Sequence, residues 1–246
     1  MENTYNYPSI THLNHEILPE DYPNYDQTFK IIIIGDAFVG KSSLALKGIK
    51  NIFDSNYTAT VGFEFVHTNI KINDVVCKLQ IWDTCGQEVY RSLITGFYRS
   101  SNLAILVYSI DNSTSFDNLD LWIKEIKTYA NPDIRIILIA NKADLESNRK
   151  ISYDQGIKYA QDNNIEFFLE TSAKTGYNTQ KIMIESAKLL YLENLKYKDK
   201  NERGRTWSTD SISSIGNKEP TSSRGSLEIK DEDISKVKDN KSSCPC

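Results

Sequence analysis

The chain has 246 residues, of which 39% are hydrophobic and 25% charged, and its formal net charge is -4. This is the composition of an ordinary soluble protein with enough apolar content for one sizeable core. It excludes a transmembrane helix, because no apolar run approaches the roughly 18 residues that one requires, and the polar stretch from Met1 to Asp26 lacks the h-region of a signal peptide.

The first apolar run, Phe29 to Ile34, reads as a buried strand and feeds the string GDAFVGKS at Gly35 to Ser42. That string fits the phosphate-loop pattern G-x-x-x-x-G-K-[ST], with a helix expected to start near Lys41. Gly35 and Gly40 let the backbone curl without a Cβ clash. The N–H groups of Asp36, Ala37, Phe38, Val39, Gly40, Lys41, Ser42 and Ser43 can then face phosphate oxygens, helped by the positive end of the helix. The Lys41 ammonium can reach the terminal phosphates, and the Ser42 hydroxyl can hold magnesium.

Glu64 to Ile72 and Val75 to Trp82 flank Asn73-Asp74, a good hairpin turn, so one antiparallel edge is expected. The second strand opens the string WDTCGQE, Trp82 to Glu88. Asp83 emerges at a strand's C-terminal end, where ligands of open α/β sheets collect, and its carboxylate suits magnesium. Gly86 can bring its N–H close to a γ-phosphate, and the Gln87 amide can orient an attacking water. Leu103 to Val107 reads as a central strand buried on both faces. Phe116, Leu119, Trp122, Ile123, Ile126 and Tyr129 recur at helical spacing, with Ser113 or Thr114 as the cap.

The strand Ile134 to Ala140 leads into NKAD, Asn141 to Asp144. The Asp144 carboxylate matches the N1–H and N2 amino donors of guanine, whereas adenine offers an acceptor at N1 and no N2 amine. Asn141 can tie this loop to the phosphate loop, and the stem of Lys142 can cover one face of the purine. Ser152 and Gln155 form a capping-box pattern for a helix toward Asn163. The strand Ile165 to Leu169 ends in ETSAK, where Ser172 joins the nucleotide residues, the Ala173 N–H can donate to guanine O6 and the Lys174 stem gives further cover. A last helix runs from Thr179 into the 190s. The alternation of strands and helices predicts an α/β fold with helices on both faces of a mostly parallel sheet.

Taken together, these strings resemble the Ras superfamily of small GTPases, from about Phe29 to about Leu195. TVGFEF at Thr60 to Phe65, KLQIWD at Lys78 to Asp83 and ITGFYR at Ile94 to Arg99 resemble the segments that distinguish the Rab family. The resemblance implies a P-loop NTPase G domain with a six-stranded, mostly parallel sheet and one antiparallel edge strand. It implies Thr60 as the switch threonine that joins Ser42 and Asp83 at magnesium, and Phe53 as the aromatic that caps the guanine edge. It also implies Gln87 as the catalytic residue, and Phe65, Trp82 and Phe97 as an exposed effector surface, although such aromatics also commonly pack as core. Cys85 and Phe38 depart from the family pattern, which leaves open a guanine-nucleotide-binding scaffold with little hydrolysis; a non-trafficking Ras-type signalling GTPase is a separate alternative.

Three segments are therefore expected: 1–26 as a Tyr-rich flexible extension, 27–195 as the G domain, and 196–246 as a disordered tail too polar to fold. The tail ends Cys244-Pro245-Cys246, similar to the C-x-C terminus of Rab proteins, which implies geranylgeranyl groups on Cys244 and Cys246. Two lipid chains suit stable anchoring, since one gives only marginal membrane binding. The implied activity is slow GTP hydrolysis by a GTP/GDP switch on the cytoplasmic face of intracellular membranes, cycling with the cytosol, in vesicle trafficking. Magnesium is the implied cofactor. The implied partners are an exchange factor, a GTPase-activating protein, a GDP-dissociation inhibitor, a prenyltransferase escort and effectors, for a monomer that binds no nucleic acid.

Overall fold

The runs of consecutive apolar residues become strands whose alternate side chains serve two separate cores. In this computed structural model, which describes residues 12–54, 63–84 and 96–206, the strands are β1 (His15–Leu18), β2 (Gln27–Ile34), β3 (Phe63–Ile72), β4 (Val75–Thr84), β5 (Leu103–Ser109), β6 (Arg135–Asn141) and β7 (Phe168–Glu170). The helices are α1 (Lys41–Lys50), α2 (Ser113–Asp117), α3 (Leu119–Tyr129), α4 (Tyr153–Asp162) and α5 (Thr179–Thr206), with a 3-10 helix at Ala143–Asn148. The chain divides into a unit Met1–Asn201 and a unit Glu202–Cys246, and of the second only helical residues 202–206 are described.

The sheet order is β1-β3-β4-β2-β5-β6-β7. The pairs β2/β4, β2/β5, β5/β6 and β6/β7 are parallel, while β3 runs antiparallel to both β1 and β4. Ile31 and Ile33 of β2, with Leu103, Ile105 and Val107 of β5, pack under Leu44 of α1 and Ile182 and Met183 of α5. Their neighbours Ile32, Ile34, Ala104 and Leu106 face the other way, onto Leu119, Trp122, Ile123 and Ile126 of α3 and Ala160 of α4. This is the two-sided layering that makes the central strands continuous apolar runs. Each fully buried Ile contributes about 1.5–3 kcal/mol of transfer free energy.

Seven strands replace the expected six, because β1 forms within the segment expected to be flexible. His15–Leu18 pairs with Asn69–Ile72 at the sheet edge, and Asn73 donates its N–H to the Asn14 carbonyl at 3.0 Å. The strand stops at Pro19, which has no N–H for the ladder. Asn69 Nδ2 then donates to the Pro19 and Glu20 carbonyls, both at 3.1 Å. Farther on, the Asp26 N–H donates to the Val76 carbonyl at 2.9 Å and the Asp26 carboxylate accepts from the Val76 N–H at 2.8 Å. Backbone pairing and polar side-chain contacts, more than apolar periodicity, hold this segment, so its sequence carries little strand signal.

Helix boundaries differ where local side chains compete with the pattern. The single helix expected through Phe116 and Tyr129 is split at Asn118, and its first half is capped by Asn112, whose side chain accepts from the Ser115 N–H at 3.3 Å, not by Ser113 or Thr114. The expected capping box of α4 is present, with Ser152 Oγ accepting from the Gln155 N–H and the Gln155 side chain accepting from the Ser152 N–H. Helix α5 continues to Thr206, beyond the expected start of the tail at 196. No helix among the described residues is long and apolar enough to cross a membrane.

Candidate functional site

The C-terminal ends of the parallel strands carry the loops where ligands of such sheets bind. Strand β2 ends in the phosphate loop, and Gly40, with φ 92, turns the chain into α1 at Lys41. A left-handed residue there is what glycine supplies without a Cβ penalty. Lys41 is buried, and its ammonium donates to the carbonyls of Gly35 at 2.9 Å and Asp36 at 2.8 Å, which folds the loop around the charge. Ala37 and Val39 complete the loop, and Ser43 follows within the first turn of α1.

Ser42 and Asp83 converge from α1 and the end of β4. The Ser42 hydroxyl donates to the Asp83 carboxylate, and both residues are buried, at 7% and 2% exposure. A buried carboxylate beside a hydroxyl is a hard-oxygen pair of the kind magnesium takes. The residues present therefore fit that ion.

Asn141, at the end of β6, joins the phosphate loop to the loop that follows β7. Its Nδ2 donates to the Val39 carbonyl at 2.9 Å, and its Oδ1 accepts from Thr171 Oγ1 at 3.2 Å and the Ala173 N–H at 3.4 Å. Lys142 adopts a left-handed φ of 63 and starts the 3-10 helix that carries Asp144. There the Asp144 carboxylate accepts from Ser172 Oγ at 2.6 Å. Lys174, two residues after Ser172, is exposed, and Phe53 is 38% exposed beyond the end of α1. The phosphate loop, Asp83, Asn141 to Asp144 and Ser172 thus meet at one rim of the sheet. Thr60, Cys85, Gly86, Gln87, Trp207, Cys244 and Cys246 lie outside the described residues.

Two sets of contacts are not evident from the sequence. Arg149 donates to Glu146 and bidentately to Glu170, at 2.6 and 3.0 Å, which ties the end of the 3-10 helix to the strand that delivers Ser172. Its hydrogen bonds to Glu170 and then Glu146 raise the guanidinium pKa, so this clamp keeps its charge throughout the working pH range. Asn118 and Trp122 hold the Asp36 carboxylate, at 2.7 and 2.8 Å. A helix start and an indole N–H are the only sequence signs of that contact.

The aromatic residues fall into a surface cluster with mixed burial. Phe65 is 45% exposed and its ring centroid lies 5.0 Å from that of Trp82, which lies 4.9 Å from that of Phe97. Trp82 and Phe97 are half-buried against the α3 core, so the core reading holds for one side of each. Phe63, 50% exposed and two residues before Phe65 on the same face, extends the cluster at 4.7 Å from Phe97. The Lys30 ammonium sits 5.2 Å from the Trp82 ring and 5.0 Å from that of Phe97, and burial lowers its pKa.

Phe38 stands in the phosphate loop with φ 64 and 75% exposure. A left-handed phenylalanine costs about 1–2 kcal/mol, and at this exposure little packing offsets it. Glycine would remove that strain while losing about 0.5–1 kcal/mol to chain entropy. Phe38→Gly is therefore expected to raise Tm by about 1–3 °C at fixed nucleotide occupancy, measured by thermal unfolding. A lowered Tm would mean the side chain makes a favourable contact.

Comparison with known proteins agrees with this geometry. A sequence model of the Ras family matches residues 30–191. The chain is 42% identical over 163 residues to the Ras-related protein Rab-2B of Dictyostelium discoideum, a match that covers 66% of this chain and 80% of that relative. The two-sided layering of the sheet, the described loop residues at one rim and these matches lead to one conclusion: the chain belongs to the Ras superfamily of small GTPases, within the Rab family.

Proposed function

We propose that the protein is a GTP/GDP switch that hydrolyses GTP slowly and recruits effectors to intracellular membranes in vesicle trafficking. The observation that carries this reading is the Asn141 bridge, which joins the phosphate loop at 2.9 Å to the base-binding loops at 3.2 Å. A site with both halves so joined reads phosphate and base together.

Lys41, now engaged with the loop carbonyls, is placed to share its ammonium with the β- and γ-phosphates. Ser42 and Asp83, with Thr60, would hold magnesium, which when bound supplies positive charge against the phosphate oxygens. Asp144 accepts from guanine N1–H and the N2 amine, with Ser172 fixing the carboxylate. Gln87 orients the attacking water, and an arginine from an activating protein would raise the rate about 10³- to 10⁵-fold. With the γ-phosphate present, the Thr60 and Gly86 segments are held against it, and its loss releases them.

The cluster of Phe65, Trp82 and Phe97 is the effector surface in this reading. An exchange factor, a GDP-dissociation inhibitor and a prenyltransferase escort complete the cycle. Geranylgeranyl groups on Cys244 and Cys246 supply the anchor, and the likeness to Rab-2B supports the trafficking role.

The test is nucleotide preference followed by single-turnover hydrolysis. With magnesium present, the purified protein is expected to retain GDP and GTP over ATP, and Gln87→Leu is expected to slow hydrolysis at least tenfold without loss of GTP binding. Equal retention of ATP and GTP would sink the guanine reading. Equal turnover in the two proteins would sink the role of Gln87 and favour a scaffold.

A further inference from the structure

The phosphate loop is gripped on both flanks, and one of the grips comes from a helix outside the nucleotide strings. We propose that Asp36, Asn118 and Trp122 form a positioning strut, through which α3 holds the loop in its phosphate-binding shape. This inference rests on the nucleotide reading above.

Asp36 Oδ2 accepts from Asn118 Nδ2 at 2.7 Å and Asp36 Oδ1 accepts from Trp122 Nε1 at 2.8 Å, so each carboxylate oxygen has a donor from the start of α3. Residues four apart share a helix face, which is how both reach one carboxylate. The first turn of α3 also presents the positive end of its dipole, which favours an anion there. Trp122 is only 2% exposed and packs in the α3 core, so its N–H is a fixed point.

Two consequences follow for the loop. Asp36 is anchored at its side chain and Val39 at its carbonyl by Asn141, and the left-handed Phe38 lies between these anchors. Backbone in a sparsely populated region persists only where its surroundings fix it, and the two anchors do so. The strut also turns a carboxylate away from a site meant for polyanions. Pointed at α3 donors, that charge is spent on N–H groups and not on phosphate repulsion.

Trp122→Phe keeps a buried ring and removes the N–H, and Asn118→Ala removes the other donor. Because the loop tip serves the second phosphate, each variant is expected to lose about tenfold or more in GDP affinity, while GMP affinity stays within about twofold. Adding Asp36→Asn to Trp122→Phe removes the charge left with fewer donors and should restore part of the GDP affinity. Competition binding against a fluorescent guanine nucleotide in magnesium reads all of these. If Trp122→Phe fails to fold, Asn118→Ala still decides the matter. Unchanged GDP affinity, or an equal fall for GDP and GMP, overturns the strut while the nucleotide reading stands. Failure of the unmodified protein to bind GDP overturns that reading and the strut with it.

Discussion

The Asp144→Asn protein is expected to lose affinity for GDP by about 10²- to 10⁴-fold and to gain affinity for xanthosine diphosphate. Guanine offers two donors, the N1–H and the N2 amine, to a carboxylate that can accept both. Hydrogen bonds to a charged group are each worth about 1.5–3 kcal/mol, and 1.4 kcal/mol is tenfold in affinity. An asparagine amide keeps one acceptor and sets an NH₂ group against the guanine amine, so one bond is lost and a donor meets a donor. Xanthine carries a carbonyl where guanine has that amine, and the new NH₂ can donate to it. The Ser172 hydroxyl, 2.6 Å from Asp144 Oδ1, fixes the plane of the group, and the Arg149 bridge to Glu170 fixes the strand behind it. The swap is therefore expected to change preference without loosening the loop. Competition by the two diphosphates in magnesium measures it. Undiminished GDP affinity would remove Asp144 from base recognition.

The central strands and the phosphate loop were legible because their physics is local. Ile31 to Ile34 is apolar at every position because both faces of β2 are covered, and Gly40 precedes Lys41 and Ser42 because the turn needs a left-handed residue there. Ser152 and Gln155 were legible for the same reason, as a cap is written within one helical turn. What the sequence concealed depends on partners far along the chain. Asp36 meets Asn118 and Trp122 across 82 and 86 positions, and no periodicity in either segment announces the contact. Strand β1 was hidden because its sequence, His-Glu-Ile-Leu, gains its order from an edge that β3 already offers. Helix α5 passed its expected end because neither proline nor glycine interrupts it from Thr179 to Arg203, with Gly204 falling only in its last turn, although its later turns are polar. The fold class was thus written in burial and turn chemistry, while the bracing of the site was written in side chains that only the folded sheet brings together.

Gly35→Ala is expected to cost about 3 kcal/mol or more of stability and to abolish nucleotide retention. Gly35 follows the last residue of β2, where Ile34 pairs with Leu106 of β5, and its φ is +139. A Cβ at this position would lie 2.1 Å from the Val107 carbonyl oxygen, far inside contact distance and against backbone. The carbonyl cannot yield cheaply, because Val107 is held in register with Ile139 of β6. Overpacking of this kind typically costs about 1–3 kcal/mol, and a strained backbone region adds about 1–3 kcal/mol. For a domain of this size 3 kcal/mol corresponds to about 6–12 °C in Tm. The same displacement would move the Gly35 carbonyl, one of the two that receive the Lys41 ammonium, so the loop loses its shape with its stability. Gly96→Ala supplies the control, since a Cβ there meets nothing within 4 Å and Tm should stay within about 2 °C. A Gly35→Ala protein that melts with the parent and still retains GDP would mean that the β2–β5 contact opens without cost.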